Sequence, residues 1–251
     1  MKIHQIMITD NDQLPDVIPD STLKCQRSIY EYFDTSEHHI YSGAELETIL
    51  KENFAEEVYL SYKKLRPYAY KADLARLCLL YLYGGLYLDF NLLFVNKLKQ
   101  PVLERFKFCS FLYDNYRHLK GLAFVNSVMS SEPGSPIMKN AIDIIVENCR
   151  NEYYGTDPLC ISGGLVVGKA YAKAIVEQTV HEDDVCFYGE MTNITPYKTM
   201  ANFALVGCDG ELLAFRTKGW DTTKLGIEGV NWHYEFYKNR TVYDTDINIT
   251  K

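Results

Sequence analysis

The segment 67–91 constrains the fold of this chain more than any other part of its sequence. Pro67 is typical of the first position of a helix, and apolar residues then recur at helical spacing, at Leu74, Leu77, Cys78 and Tyr81. The double glycine at 84–85 predicts where this helix ends. The apolar residues 86–88 then predict a short buried strand that ends on Asp89. Since α/β folds bind ligands at the ends of sheet strands, this pattern predicts a carboxylate at a ligand site.

The rest of the chain alternates between predicted strands and helices. We predict strands over 3–8, 40–41, 108–113 and 122–127, and near Cys186, Phe203, Leu212 and Val242. We predict further helices over 22–32, 43–53, 56–65, 135–149 and 170–178, the last preceded by a glycine-bearing turn over 160–169. This alternation predicts the α/β class, with a mixed sheet flanked by helices. Since no Pro/Gly/Ser-rich linker divides the sequence, we expect a single domain over 1–251.

Charge and hydropathy argue against several classes of protein. The chain has 26 Lys and Arg against 33 Asp and Glu, a net charge of −7, and no basic run that would follow a nucleic-acid backbone. The most apolar stretch, 74–88, contains Arg76 and is shorter than the roughly 20 residues that cross a bilayer. The first residues do not resemble a secretion signal, and the seven scattered cysteines are typical of free thiols. We therefore expect a cytoplasmic protein without a nucleic-acid partner.

Asp89 and Asn91 stand two residues apart at the end of the predicted strand. Side chains at this spacing can reach one ion where a strand bends, and oxygen atoms are the ligands that Mg²⁺ and Mn²⁺ prefer. Such an ion can neutralise the charge that develops on a leaving diphosphate. Asn91 supplies a neutral carbonyl oxygen, so this site is expected to be weaker than one with two carboxylates.

Asp73 and Arg76 stand three residues apart on the preceding helix and therefore share one face. A carboxylate there can accept hydrogen bonds from ribose hydroxyls, and a guanidinium can bind phosphate or sugar oxygens. The same spacing is also typical of an ordinary ion pair on a helix surface, worth under about 1 kcal/mol. Spacing alone leaves both interpretations open.

Residues 71–76 (KADLAR) and 79–91 (LLYLYGGLYLDFN) resemble the DXD sugar-binding region of glycosyltransferase family 32. That family includes initiating mannosyltransferases of the yeast type, galactosyltransferases and bacterial capsule or lipooligosaccharide enzymes. Its DXD block is similar to that of the clostridial glucosylating toxins. Residues 2–6 (KIHQI) and the following Leu14 and Pro15 also resemble the first strand and loop of the family. The departure is Asn91, which stands where the family usually has its second Asp.

The resemblance implies a GT-A fold, in which a Rossmann-like mixed sheet binds the nucleotide. It also implies a retaining, metal-dependent transfer of a hexose from a nucleoside-diphosphate sugar, with a uridine donor favoured over a guanosine donor, to a glycan acceptor. By this resemblance Asp73, Arg76 and Asp89 contact the donor, while Ile6 and Met7 pack against its base. No catalytic nucleophile is predicted, and peripheral contact with a membrane is left open.

The resemblance extends to three more distant segments. Residues 231–234 (NWHY) resemble a late family segment that supplies a metal ligand, so His233 would join Asp89 and Asn91 around Mn²⁺ or Mg²⁺. Taken alone, a His beside a Trp is also typical of a packed structural residue. Asn126 and the pair Gly163 and Gly164 resemble segments that line the sugar and acceptor side of the cleft, although the glycines could simply form a turn.

Several other functions are weaker alternatives. The stretch 163–169 has the pattern G-x-x-x-x-G-K of a phosphate-binding loop, but Ala170 follows in place of the Ser or Thr that such a loop uses for Mg²⁺. The acidic run 181–184 is more typical of a solvated loop than of a cation site. The main competitor is a non-catalytic module that binds a sugar or nucleotide sugar. Metal dependence separates that module from an enzyme.

Overall fold

A computed structural model of the chain describes residues 1–34, 37–114, 122–194, 201–217, 222–228 and 231–250. Its strands are β1 (Ile3–Met7), β2 (His38–Ser42), β3 (Gly85–Leu88), β4 (Leu92–Phe94), β5 (Phe108–Tyr113), β6 (Phe124–Ser131), β7 (Val185–Asn193), β8 (Ala201–Gly207) and β9 (Leu212–Thr217). Within the described residues they form one nine-stranded sheet in the order β2-β1-β3-β6-β5-β7-β8-β9-β4.

Helices cover both faces of this sheet. They are α1 (Asp20–Tyr32), α2 (Gly43–Asn53), α3 (Glu56–Lys64), α4 (Tyr68–Tyr83), α5 (Gln100–Arg105), α6 (Pro136–Arg150), α7 (Gly164–Val176) and α8 (His233–Lys238). Short 3₁₀ turns lie at Pro158–Cys160, Glu182–Asp184 and Thr222–Leu225. No helix among the described residues is long and apolar enough to cross a bilayer.

The sheet is mixed, as predicted. Strand β1 pairs in parallel with both β2 and β3, and β5 pairs in parallel with β7. The remaining neighbours run antiparallel, including β3 with β6 and β4 with β9. Because β1 and β3 are parallel neighbours, the loop after β1 and the residues after β3 emerge at the same edge of the sheet. This arrangement brings Met7 and Asp89 to one side of the molecule.

Two apolar clusters lie on opposite faces of the sheet. In β3, Tyr87 belongs to the cluster beneath α4, α6 and α7, whereas Leu86 and Leu88 belong to the cluster beneath α1. This alternation is the period of two that a strand buried on both faces requires. Helix α4 lies within the first cluster and is apolar around most of its surface, with residues 73–80 all buried. The charged side chains of Asp73 and Arg76 on α4 therefore face the protein interior.

The predicted stop of α4 is confirmed. The helix ends at Gly84, whose φ of 61° is in the left-handed region that glycine adopts without steric cost. The start differs by one position from the prediction. Pro67 precedes the helix as its N-cap, with an extended ψ of 132°, and Tyr68 is the first helical residue.

The predicted turn over 160–169 is wrong in its second half, because α7 already begins at Gly164. A methyl group on Gly164 would lie 1.9 Å from the Phe124 carbonyl oxygen, and one on Gly168 would lie 1.7 Å from the Leu122 oxygen. These glycines therefore let the helix pack directly against the backbone before and within β6, and they do not break the helix. Because residues 164–169 are helical, this stretch is not a phosphate-binding loop.

Smaller differences concern short elements. The strand predicted near Val242 is only an isolated bridge between Leu65 and Tyr243. Strand β4 and helices α5 and α8 were not predicted, and each has six residues or fewer. Elements this short contain too little periodicity to be distinguished from loops in the sequence.

Candidate active site

Two adjoining hollows open where β1 and β3 end. We call the first the Asn126 hollow; it has a volume of about 460 Å³ and is lined by Asp73, Asn126 and Asp157 among others. We call the second the Met7 hollow; it has a volume of about 560 Å³ and is lined by Ile6 and Met7 among others. Both are lined by Ala69, Arg76, Asp89, Phe203, Arg216 and His233. The shared lining makes the two hollows one cleft.

Asp89 lies in the middle of this cleft. Its backbone N–H donates to the Ser127 carbonyl at 2.9 Å, which continues the pairing of β3 with β6 by one residue. Its Oδ1 accepts from the Tyr87 hydroxyl at 2.9 Å and lies 3.3 Å from Arg76 Nη1. Both contacts from the described residues are made to Oδ1, so Oδ2 is left for a ligand. The side chain is 20% exposed, which allows a ligand to reach it.

Arg76 joins the polar groups of the cleft floor. Its Nη2 lies 3.2 Å from Asp73 Oδ1, its Nη1 donates to the Asn126 carbonyl at 2.6 Å, and its Cζ lies 4.5 Å from the Tyr87 ring centre. Burial opposes the charge of this guanidinium, but Asp89 and the neighbouring acidic groups outweigh burial and raise the pKa of Arg76. Both Asp73 and Arg76 are buried, so the interpretation as an ordinary surface ion pair is wrong.

Asp73 is held by groups from three parts of the chain. Its Oδ1 accepts from Asn126 Nδ2 on β6 at 2.8 Å, and its Oδ2 accepts from the Ser162 hydroxyl at 2.8 Å. Burial raises the pKa of Asp73 to about 6, although Arg76 and these hydrogen bonds oppose the shift. The fold therefore brings Asp73, Arg76, Asp89 and Asn126 together. Ser162 was not predicted.

Asn91 has an unusual environment for an amide side chain. Its backbone carbonyl accepts from both the N–H and the hydroxyl of Thr217, at 2.9 and 3.1 Å, which fixes the residue against the end of β9. Its side-chain Oδ1 is buried and has no hydrogen-bond partner among the described residues. A buried carbonyl oxygen without a partner is costly, and a cation in the cleft would satisfy it.

His233 is the first residue of α8 and lines both hollows. Its ring lies 5.6 Å from that of Tyr70, measured between centres. Burial, and then the positive charge of Arg216, lower the pKa of His233 to about 4. The imidazole is therefore neutral at pH 7, which is the form that binds a metal ion.

Asp89, Asn91 and His233 all line the Met7 hollow. They offer a carboxylate oxygen, an unpaired amide oxygen and a neutral imidazole, a set that fits a divalent ion such as Mn²⁺ or Mg²⁺. No group of three or more His, Cys, Asp and Glu side chains among the described residues could hold a metal. A metal here would therefore depend on the amide of Asn91.

Arg216 is the main residue of the cleft that sequence reasoning missed. It lies in β9, lines both hollows, and has its Cζ 6.0 Å from the Phe203 ring centre. A guanidinium suits the oxygen atoms of a diphosphate because its N–H donors form a fixed fork. The one available signal was a cationic residue within the largely apolar strand 212–217, and no motif marks it.

The remaining predicted residues divide into two groups. Ile6 and Met7 line the Met7 hollow, where they were expected to meet a base. Gly163 and Gly164 are not among the lining residues of either hollow. At Gly164, the space that a side chain would take is filled by β6. Contact between these glycines and a sugar stays a prediction, and the cleft gives it no geometric support.

Part of the chain is similar to known glycosyltransferases. Residues 19–108 match the family described as a glycosyltransferase sugar-binding region containing DXD motif. The chain is also 28% identical, over 137 residues, to "Uncharacterized glycosyltransferase L373" of Acanthamoeba polyphaga mimivirus. The match covers 54% of this chain and 51% of the viral protein. The chain thus spans about half the length of that curated relative.

One solved structure shows a similar fold. The PaToxG glycosyltransferase is similar with a TM-score of 0.51 and 17% identity, over 71% of this chain and 73% of that one. The ligand-free glycosyltransferase domain of the YGT toxin is similar with a TM-score of 0.39 and 14% identity, over 64% and 54% respectively. Residues 19–108 are thus similar to the DXD-containing sugar-binding region of glycosyltransferases, and the chain shares its fold with the PaToxG glycosyltransferase.

Proposed function

We propose that this chain is a retaining glycosyltransferase that moves a hexose from a nucleoside-diphosphate sugar to a glycan acceptor and depends on a divalent metal. The observation that carries the proposal is the juxtaposition of Asp89 with the unpaired amide oxygen of Asn91 in one cleft. Together with His233, these residues would hold Mn²⁺ or Mg²⁺. The bound ion would neutralise the charge that develops on the leaving diphosphate.

The Met7 hollow suits the nucleoside of the donor. Ile6 and Met7 line it with apolar surface, and the aromatic residues Tyr68 and Trp232 line it as well. Flat apolar rings with a polar edge favour stacking against a base. Arg216 lies between the two hollows and would contact the diphosphate. We expect a uridine donor ahead of a guanosine donor.

The Asn126 hollow suits the transferred hexose. Polar groups converge on it from Asp73, Asn126 and Asp157, and a few convergent polar groups are what a sugar site needs to fix its orientation. An ionised carboxylate has about four acceptor positions, so Asp73 can accept a sugar hydroxyl in addition to its present partners. Arg76 pairs with both Asp73 and Asp89, which fixes these donor contacts before binding.

A second candidate is a non-catalytic module that binds a sugar or nucleotide sugar. The observation that favours it is Asn91, because a neutral amide gives a metal site less charge than the second Asp of the usual motif. The two candidates differ in one measurable property. The enzyme needs metal and nucleotide together, whereas the module binds glycan without them.

The deciding experiment is a donor-hydrolysis screen. Uridine and guanosine diphosphate hexoses are incubated with the protein in Mn²⁺, in Mg²⁺ and in a chelator, and release of the nucleoside diphosphate is measured. We expect hydrolysis of at least one donor only with metal, and its loss in Asp89→Ala and Asp89→Asn. Asp143→Ala, which removes an exposed carboxylate on α6, is the matched control. Activity of Asp89→Ala close to wild type would reject the assignment, and glycan binding without metal or nucleotide would favour the module.

A further inference from the structure

The carboxylate of Asp10 joins two segments at the rim of the Met7 hollow. Asp10 follows β1, and its Oδ1 accepts from the Tyr68 hydroxyl, at the start of α4, at 2.7 Å. Its Oδ2 accepts from the backbone N–H of Glu228 at 2.7 Å. Hydrogen bonds to an ionised carboxylate are stronger than neutral ones, so one side chain couples α4 to the chain that precedes α8.

Two further hydrogen bonds hold the same segments together. The backbone N–H of Asp10 donates to the Gly226 carbonyl at 2.9 Å. The backbone N–H of Tyr68 donates to Asn231 Oδ1 at 2.8 Å. This N–H is one of the first amides of α4, which have no partner within the helix. Asn231 therefore caps α4 and at the same time fixes the chain two residues before His233.

Apolar packing holds only part of the chain around α8. Leu225 is buried beside Met7 and Phe90, and Phe236 and Tyr237 of α8 pack, only partly buried, against the cluster beneath α4. A short helix with few buried apolar contacts opens easily unless hydrogen bonds restrain it. The hydrogen bonds of Asp10 and Asn231 therefore restrain the chain that leads into α8 and carries His233 to the cleft.

We propose that Asp10, Tyr68 and Asn231 are positioning residues that keep His233 and Trp232 at the cleft before a donor binds. We call their four hydrogen bonds the Asp10 tie. The inference rests on the proposed function only in that His233 and Trp232 serve the donor site. If the tie is lost, a smaller fraction of molecules has these side chains in place. The apparent dissociation constant for the donor nucleotide then rises in inverse proportion to that fraction.

The first test needs no ligand. Hydrogen exchange of the unliganded protein is compared between wild type, Asp10→Ala and Tyr68→Phe, with Asp16→Ala as the control because Asp16 is an exposed carboxylate of the same loop. If Asp10 made only a local contact, Asp10→Ala would speed hydrogen exchange only at the backbone N–H of Glu228, which donates to Asp10. Loss of a positioning contact also speeds exchange at the amides of α8, which Asp10 does not touch, by on the order of tenfold. Asp10→Asn keeps one acceptor oxygen and is expected to be intermediate.

The second test measures binding of uridine diphosphate and guanosine diphosphate, each with Mn²⁺, by calorimetry. We expect Asp10→Ala to weaken the binding of the preferred nucleotide by about tenfold and to raise KM with little change in kcat. If wild type binds neither nucleotide, the proposed function fails, while faster exchange in α8 would still support the tie. Unchanged exchange in α8 for both Asp10→Ala and Tyr68→Phe would overturn the inference, whatever the nucleotides do.

Discussion

Nη1 of Arg76 lies 3.3 Å from Oδ1 of Asp89, so a largely buried ion pair connects the middle of α4 to the end of β3 at the cleft. The same guanidinium lies 3.2 Å from Asp73, which makes it the shared partner of two carboxylates. A buried ion pair adds little net stability, because removing its charges from water is costly. Removing only one partner is much more costly, since the other charge stays buried without compensation.

Arg76→Met should therefore destabilise the protein strongly. The substitution keeps much of the buried volume but leaves Asp73 and Asp89 close together without their cation. We expect the free energy of unfolding to fall by about 3 to 5 kcal/mol, measured by urea denaturation. Lys139→Met is the control, because Lys139 pairs with Asp143 on an exposed face of α6 and its loss should cost under about 0.5 kcal/mol. An Arg76→Met variant as stable as the control would contradict this account of the site.

Asn91→Asp should strengthen metal binding. The substitution replaces the buried, unpaired amide oxygen by a charged one at the same position. Since ligand charge is a main determinant of affinity for a hard cation, we expect the dissociation constant for Mn²⁺ to fall by on the order of tenfold in a calorimetric titration. Asn53→Asp adds the same charge at an exposed position at the end of α2 and should leave the affinity unchanged. A titration without any gain would remove Asn91 from the metal ligands.

Gly164→Ala should destabilise the protein, because this glycine lets α7 pack closely against β6. The new methyl group would lie 1.9 Å from the Phe124 carbonyl oxygen, so α7 must move away from β6. Overpacking of this kind costs about 3 kcal/mol, measured as a loss in the free energy of unfolding. Gly134→Ala is the comparison, because Gly134 has a φ of +71° but no heavy atom within 4 Å of the new methyl group. In Gly134→Ala, the left-handed backbone alone should lower the free energy of unfolding by about 1 kcal/mol. Equal losses of stability in the two variants would argue against the close contact between Gly164 and Phe124.

The pKa of Asp10 should report on the Asp10 tie. The Tyr68 hydroxyl and then the Glu228 N–H stabilise the ionised carboxylate and lower the pKa of Asp10 below its ordinary value of 3.8. Because the pKa is lower in the folded state, the resulting stabilisation is fully present above about pH 4 and is lost as the pH falls through the folded pKa. Tyr68→Phe should move this pKa back towards its ordinary value in a carboxyl NMR titration. The pKa of Asp184, which Lys107 lowers at a distant site, should not respond.

The local pattern of the sequence determined the central part of this protein. The periodicity of α4, the glycines at its end and the apolar residues of β3 predicted where Asp89 would stand, because these features depend only on residues close together in the chain. The spacing of Asp73 and Arg76 likewise placed them on one helix face. Resemblance to known sequences then connected these positions with a donor site and with Asn126 and His233.

Only the tertiary structure decided how these residues are used. Asp73 and Arg76 form a buried network because α4 is enclosed between the sheet and other helices, and a helical pattern does not show what covers it. Arg216 reaches the cleft because β9 pairs with β8 and β4, a strand order that local sequence does not encode. The hydrogen bonds of Asp10 to Tyr68 and Glu228 join residues far apart in the chain. Such contacts exist only once the chain has folded, since the folded backbone sets which distant side chains meet.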